Sequence, residues 1–286
     1  MAARVESGGG AAPLDLAAIQ AASTRHERRR RWQRLSTRTL SVFALLLGWW
    51  ALAAANAVHF RWFNPVLLPA PPAIAREAWR LLVLGSLQWD VLASLARVAQ
   101  GFVIAAVLGV VAGTLVARVT TIENVVEPVL DMLRPIPPLA FLPLLVLYLG
   151  IGEASKIGFI AYSAFFPVFT TTREGIKYVD PLLIRAAESL GAGERDILRY
   201  VIIPAAMPSI LTGLRLSFAL SFFVIVAAEF IAAERGLGFL INDAREFFRV
   251  DRMLLGAAAI GLLGYGFNHL FGRLERVLVP WKGGAE

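Results

Sequence analysis

Three kinds of residue in this chain could carry chemistry. The first are ionisable groups that fall inside or beside apolar runs: Arg97, Arg134, Arg215, Glu229 and His269. A charge in that setting is costly, so each one marks either a partner or a function. Arg97 and Glu229 stand near the same end of two different runs, which allows an ion pair; such a pair is more often structural than substrate-binding. Arg134 and Arg215 could offer positive charge to a passing anion, although long side chains near a run's end more commonly reach back to water. His269 reads as a hydrogen-bonded packing residue. The second kind is residues that break or thin a helix. Pro135, Pro137 and Pro138 interrupt one apolar region beside Arg134, and a broken helix at membrane depth is tolerated where its freed backbone faces protein or water. Ser209, Gly213, Ser217 and Ser221 recur every four residues, a rhythm that lines a polar path or, more commonly, lets two helices touch. The third kind is missing. There is no cysteine, there are three scattered histidines, and no glycine loop ends in Gly-Lys-Ser or Gly-Lys-Thr. Thiolate chemistry, disulfides and P-loop ATP hydrolysis are therefore excluded from this chain, and neither a metal cage nor a nucleophile with its base stands out.

The elements that must position these residues are membrane spans. With 57% hydrophobic and 17% charged residues among 286, and a mean hydropathy of +0.65, the chain is too apolar for an ordinary soluble domain. It reads as an all-α integral membrane protein of six crossings, each supplying about 20 apolar residues. Span one covers residues 40–58, with Trp49 and Trp50 inside the bilayer and Trp62 near its surface. A proline-rich stretch with a short amphipathic helix at 74–84 lies outside the core. Span two covers 93–116 and carries Gly109 and Gly113 at close-packing spacing. Span three, 122–149, is broken by the three prolines, and span four, 157–172, is interrupted late by Pro167. Span five covers 207–233. Span six covers 253–271 and is loosened by Gly256, Gly261, Gly264 and Gly266.

Charge sets the expected orientation. The net charge is +7, and much of the excess arginine lies in residues 28–38, before the first apolar run. Residues 1–38 therefore read as a basic, partly disordered cytoplasmic leader with a possible short helix at 14–22. They precede a permease domain at 39–286, and both termini are cytoplasmic. The leader is too long and too polar before its apolar run for a cleaved signal, and its arginines are a positive-inside flank rather than a nucleic-acid site.

One polar island remains, residues 180–204, reading DPLLIRAAESLGAGERDILRYVIIP. Asp180 and Pro181 are suited to open a helix over 182–190, Gly191 to close it in a left-handed turn, and 194–200 to form a second turn returning to Pro204. The two alanines Ala186 and Ala187, then three residues and Gly191, and later Val-Ile-Ile-Pro resemble the coupling loop of type I ABC importer permeases. LRPIPPLAFLPLLVLYLGIGEASK (133–156), PSILTGLRLSF (208–218) and VAAEFIAAERGLGFLI (226–241) are similar to the nitrate, sulfonate and taurine branch, with the resemblance running from about 67 to 281. Arg185 stands where that family usually places an acid, with Glu188 one turn later.

The resemblance implies a non-catalytic permease subunit in a bacterial inner membrane. A second copy of the chain, two cytoplasmic ATPase subunits and a periplasmic or lipid-anchored binding protein are its expected partners, beside membrane lipid. No cofactor is expected in this chain; ATP and magnesium belong to the ATPase. Arg185, Ala186, Ala187, Glu188, Leu190, Gly191, Ala192 and Pro204 are the implied coupling residues. The ending resembles taurine permeases most, which implies inward movement of a small sulfonate by alternating access; nitrate, bicarbonate, aromatic carboxylates and thiamine precursors are the alternatives within the branch. A gradient-driven transporter would need a carboxylate or histidine relay deep in the spans, where residues are nearly all apolar or small. A membrane-bound enzyme would need a clustered constellation that the chain lacks.

Overall fold

A computed structural model describes residues 37, 40–60 and 64–281. The leader's possible helix, its arginine run up to residue 34, Trp62 and Lys282 lie outside the described residues. The chain divides into two units, Met1–Pro65 and Val66–Glu286. The described part of the first is essentially one helix, α1 (Leu40–Val58), which widens into a π-helical turn at Asn56–Phe60.

The second unit is helical throughout its regular structure. It consists of α2 (Pro71–Val83), α3 (Ser86–Arg118), α4 (Thr120–Leu133), α5 (Pro138–Leu149), α6 (Glu153–Lys177), α7 (Pro181–Ser189), α8 (Glu194–Ile197), α9 (Ile203–Ala232), α10 (Leu237–Glu246) and α11 (Val250–Leu278). Among the described residues, α1, α3, the α8–α9 helix and α11 are long and apolar enough to cross a membrane, and the bent pair α4–α5 makes a fifth candidate. The break at 134–137 turns α5 by 100° from α4. Pro137 caps α5 in an extended conformation and Pro138 takes its first position, where a missing N–H costs nothing.

The remaining expected crossing, span four in α6, has the length but not the apolar composition. At 25 residues it is about 37 Å long. It is held between α3 and α9, so protein rather than lipid is its solvent and polar side chains are tolerated. Small residues make that packing close. A β-carbon on Gly101 would lie 2.6 Å from Ile160 Cβ, one on Gly109 2.8 Å from Val168 Cβ, and one on Gly113 2.9 Å from the Phe169 carbonyl. Phe159, Ile160, Ala164, Val168 and Phe169 are each at most 1% exposed along this seam.

Three expectations are corrected. Pro167 does not interrupt span four, because α6 runs unbroken through it, enclosed by its neighbours. The glycines of span six do not loosen it either: α11 is one 29-residue helix. The return from the polar island is not a separate turn ending at Pro204. Residues 198–202 form a π-turn that joins α8 to α9 as one helix, Glu194–Ile231. Pro204 has no N–H to donate, and the wider turn absorbs that lost bond without ending the helix.

The α6–α9 seam carries a direct test. A β-carbon on Gly213 would lie 1.7 Å from Thr171 Oγ1 and 2.9 Å from its Cβ. Gly213→Val is therefore expected to destabilise the solubilised protein by about 1–3 kcal/mol through overpacking. Thermal unfolding in detergent measures this, and an unchanged midpoint would show that the seam yields freely.

Candidate functional site

The first candidate is the loop at 180–204. Asp180 Oδ1 accepts the Leu182 N–H at 2.8 Å, and Pro181 fills the first position of α7. At the other end Gly191 takes φ +81°, its N–H reaching the Glu188 carbonyl at 2.9 Å while the Ala192 N–H reaches the Ala187 carbonyl at 3.1 Å. This is a left-handed cap that glycine adopts without strain. Ile184, Ala187 and Ala192 pack on a cluster formed by Ile176, Val179, Ile197, Ile202, Ala206 and Ile210. The opposite face is uncovered: Leu183 and Leu190 are 48% and 89% exposed, beside exposed Arg185, Ala186 and Glu188. A short helix anchored on one apolar side and presenting leucines on the other has the shape of a docking element. Half-buried Pro204 lies in the first turn of α9.

Two basic residues and two acids tie this loop to the broken helix. Arg173 Nη2 lies 2.7 Å from Glu123 Oε1 and also pairs with Glu127, while Lys177 pairs with Glu123. These contacts join α4 to the last turn of α6, three residues before Asp180. No local pattern pairs these charges, because the contacting residues lie some fifty positions apart in the chain.

At the far end of α6 lies a buried ion cluster. Arg97 Nη1 donates to Glu229 Oε1 at 2.6 Å and to the Arg235 carbonyl at 2.6 Å. Its Nε and Nη2 form a fork on Glu153 at 2.6 and 2.8 Å. Glu229, 1% exposed, also accepts from Ser94 Oγ at 2.8 Å and from the Gly238 N–H at 2.7 Å. The two amides before it, at the start of α10, are satisfied in turn. Gly236 donates to Asp90 Oδ1 at 3.0 Å and Leu237 to Ser94 Oγ at 2.8 Å. Glycine is required at 236, where φ is +134° and a β-carbon would lie 2.4 Å from the Glu229 carboxyl carbon. Sequence spacing paired Arg97 with Glu229 but missed Asp90, Ser94, Glu153 and Lys156. The Gly-Leu-Gly turn and the Glu153/Lys156 pair, three residues apart at a helix start, were the available signals.

The other sequence candidates are dispersed. Arg134 is exposed, 3.2 Å from Thr170 Oγ1 and 3.5 Å from Asp131. Pro135 and Pro137 are exposed, and Pro137 and Pro138 border a cavity of ≈ 640 Å³ lined by Phe222, Phe223, Phe230 and other apolar residues. The four-residue stripe faces α6 rather than an opening. Ser217 Oγ donates to the Ala164 carbonyl at 2.6 Å, Ser221 Oγ to the Ser217 carbonyl at 2.8 Å, and both residues are fully buried. Gly213 lies under Thr171 and Ser209 against Gly175. Ser209 alone of the four also borders a polar cavity of ≈ 600 Å³, with Glu174, Tyr178 and Asp180. Arg215 Nε donates to Asn268 Oδ1 at 2.7 Å. His269 is hydrogen-bonded as expected, its Nδ1 3.1 Å from the Tyr265 carbonyl and its ring 4.2 Å from the Tyr265 ring, but it is exposed on α11 rather than packed in the core.

The chain is thus a multi-span helical bundle with one capped loop between its two most enclosed helices, an arrangement shared by solved structures. The chain superposes on the MetNI methionine ABC transporter in an inward-facing form with a TM-score of 0.62 at 18% identity, over 68% of this chain and 97% of that one. An amino acid ABC transporter gives 0.57 at 20% identity, over 71% and 97%. The fold is thus that of type I ABC importer permeases.

The chain belongs to the family described as the binding-protein-dependent transport system inner membrane component, whose model matches residues 105–283. It is 37% identical to the taurine transport system permease protein TauC of Escherichia coli over 271 residues, 90% of this chain and 96% of that one. It is 34% identical to the putative aliphatic sulfonates transport permease protein SsuC of Bacillus subtilis, over 85% and 87% of the two chains. Identity to the nitrate import permease protein NrtB of Leptolyngbya laminosa is 30%, over 86% and 89%. This is a multi-pass inner-membrane permease subunit of an ABC importer in the taurine, sulfonate and nitrate branch.

Proposed function

We propose that this chain carries a small sulfonate, taurine foremost, across the inner membrane by alternating access, as one half of a homodimer. Near-complete alignment with a taurine permease at 37% identity carries the cargo assignment. The uncovered leucine face of α7 supports the mechanism: it would sit in a groove of a cytoplasmic ATPase, which alone holds ATP and magnesium. Closure of the ATPase pair would move α7, and with it α6 and α9, between which α7 is strung. The Arg173 and Lys177 pairs to Glu123 and Glu127 would pass the same motion to α4 and its bend. A substrate-binding protein would deliver cargo to the opposite end of the bundle, with both termini of the chain on the ATPase side.

Co-purification with the ATPase and the binding protein, followed by ATP hydrolysis in lipid, tests this. Taurine-loaded binding protein should stimulate hydrolysis several-fold over the empty form. Stimulation by nitrate alone would move the cargo to the branch represented by NrtB. Failure of any ATPase to bind would sink the ATP-driven mechanism in favour of a gradient-driven one.

A further inference from the structure

The ion cluster at the end of the bundle far from α7 has two layers. The inner one is closed: the Glu229 carboxylate is filled by Ser94, Arg97 and the Gly238 amide. The outer one is open. Arg97 turns the remaining edge of its guanidinium towards Glu153, whose side chain is 57% exposed although that of Arg97 is only 7% exposed. Lys156 is 4% exposed, yet its acceptor among the described residues is Glu153 Oε1 at 3.1 Å. A buried ammonium has three protons to place, so one acceptor on a solvent-facing side chain leaves it under-satisfied. A cavity of ≈ 340 Å³ opens onto these groups, lined by Arg97, Ile151, Gly152, Glu153, Lys156, Glu234 and Arg235. That is towards the small end of the range for ligand sites, about 300–1,000 Å³.

We propose that Arg97 and Lys156 form a displacement site for a small sulfonate, and that Glu153 is its tethered occupant when no ligand is present. A sulfonate offers two oxygens at the spacing the guanidinium fork requires, and a third that can reach the lysine. With Glu153 moved aside, Arg97 keeps Glu229 on one edge of its guanidinium while Lys156 loses its carboxylate partner, which suits an anion. Moving Glu153 breaks its fork on Arg97 and its pair with Lys156, so the site opens only to an anion that replaces both contacts. Glu234, also in the wall, then disfavours anions that cannot hold both cations at once. The assignment rests on the sulfonate cargo proposed above and gives that cargo its first contact on the permease.

The test uses the permease with its ATPase in lipid nanodiscs, without binding protein, and methanesulfonate as the probe in calorimetric titration. Glu153→Gln removes the competing charge while keeping the side chain's shape, so methanesulfonate should bind at least tenfold more tightly than to the wild type. Lys156→Met added to that variant should weaken binding at least tenfold. Glu153→Asp keeps the charge on a shorter arm and should fall between wild type and Glu153→Gln, which covers the case in which the glutamine variant assembles poorly. Unchanged affinity across the series means that Glu153 is only a structural latch and overturns the site; equal tightening for chloride overturns its sulfonate character. The cargo reading is scored separately, by ATPase stimulation of the wild type with taurine-loaded binding protein. Tightening without stimulation rejects taurine as cargo and keeps the site, whereas stimulation with a flat series does the reverse.

Discussion

Arg97→Met is expected to destabilise the solubilised permease by about 3–5 kcal/mol, the cost of leaving a buried charge without its partner. Glu229 is 1% exposed, and without the guanidinium its carboxylate retains only Ser94 Oγ and the Gly238 N–H. Glu153, mostly in solvent, loses little. The damage should therefore fall on the junction of α3, α9 and α10, and a second change should recover part of it: with Glu229→Met added, no bare charge remains and two apolar side chains fill the space. Thermal unfolding of both variants in detergent measures this. A single variant as stable as the wild type would mean that water reaches Glu229, and that the cluster is not closed on its inner side.

The other large effect is on coupling. Gly191→Pro is expected to leave membrane insertion and the bundle intact while reducing transport by tenfold or more. Gly191 sits at φ +81°, whereas proline is held near −65°, and its N–H, which proline lacks, bonds the Glu188 carbonyl. The position has open space around it, with no atom within 4 Å of an added β-carbon, so the fault stays in the elbow and reorients the leucine face of α7. An elbow strain of about 1.4 kcal/mol at the docking step already corresponds to a factor of ten. Gly191→Ala, which retains the N–H and pays about 1–2 kcal/mol for the left-handed turn, should give a milder loss. Uptake in proteoliposomes, read beside ATP hydrolysis, separates the outcomes: hydrolysis without uptake is uncoupling, and normal uptake in the proline variant would remove the elbow from the mechanism.

The elements most legible in the sequence were those whose signals are local. Asp180, Pro181 and Gly191 announce the start and the elbow of α7 through cap chemistry that needs no tertiary partner, and the structure ends the helix at Ser189 rather than at 190. The break at Pro135, Pro137 and Pro138 was legible for the same reason, since three rings without an N–H within four positions remove too many successive helix bonds to be absorbed, although its 100° angle was not. Pro167 shows the limit of that rule. The same residue type was read as an interruption, yet α6 passes straight through, because α3 and α9 hold it on both sides.

What the sequence by itself determined is therefore the membrane class, the crossings with uniform apolar runs, and the polar loop at 180–204 with its caps. Each follows from short-range composition or from one residue's backbone preferences. The tertiary structure alone decided which small residues pack rather than line, since Ser217 is read one way in isolation and another against the Ala164 carbonyl of α6, with Ser221 fully buried one turn on. It also decided that Asp90, Ser94, Arg97, Glu153, Lys156 and Glu229 form one cluster with the amides of Gly236, Leu237 and Gly238. Those groups come from three long helices and the start of a fourth, up to 148 positions apart in the chain. No periodicity within a segment reports such a meeting, because it is fixed by how closely glycine faces allow the helices to approach.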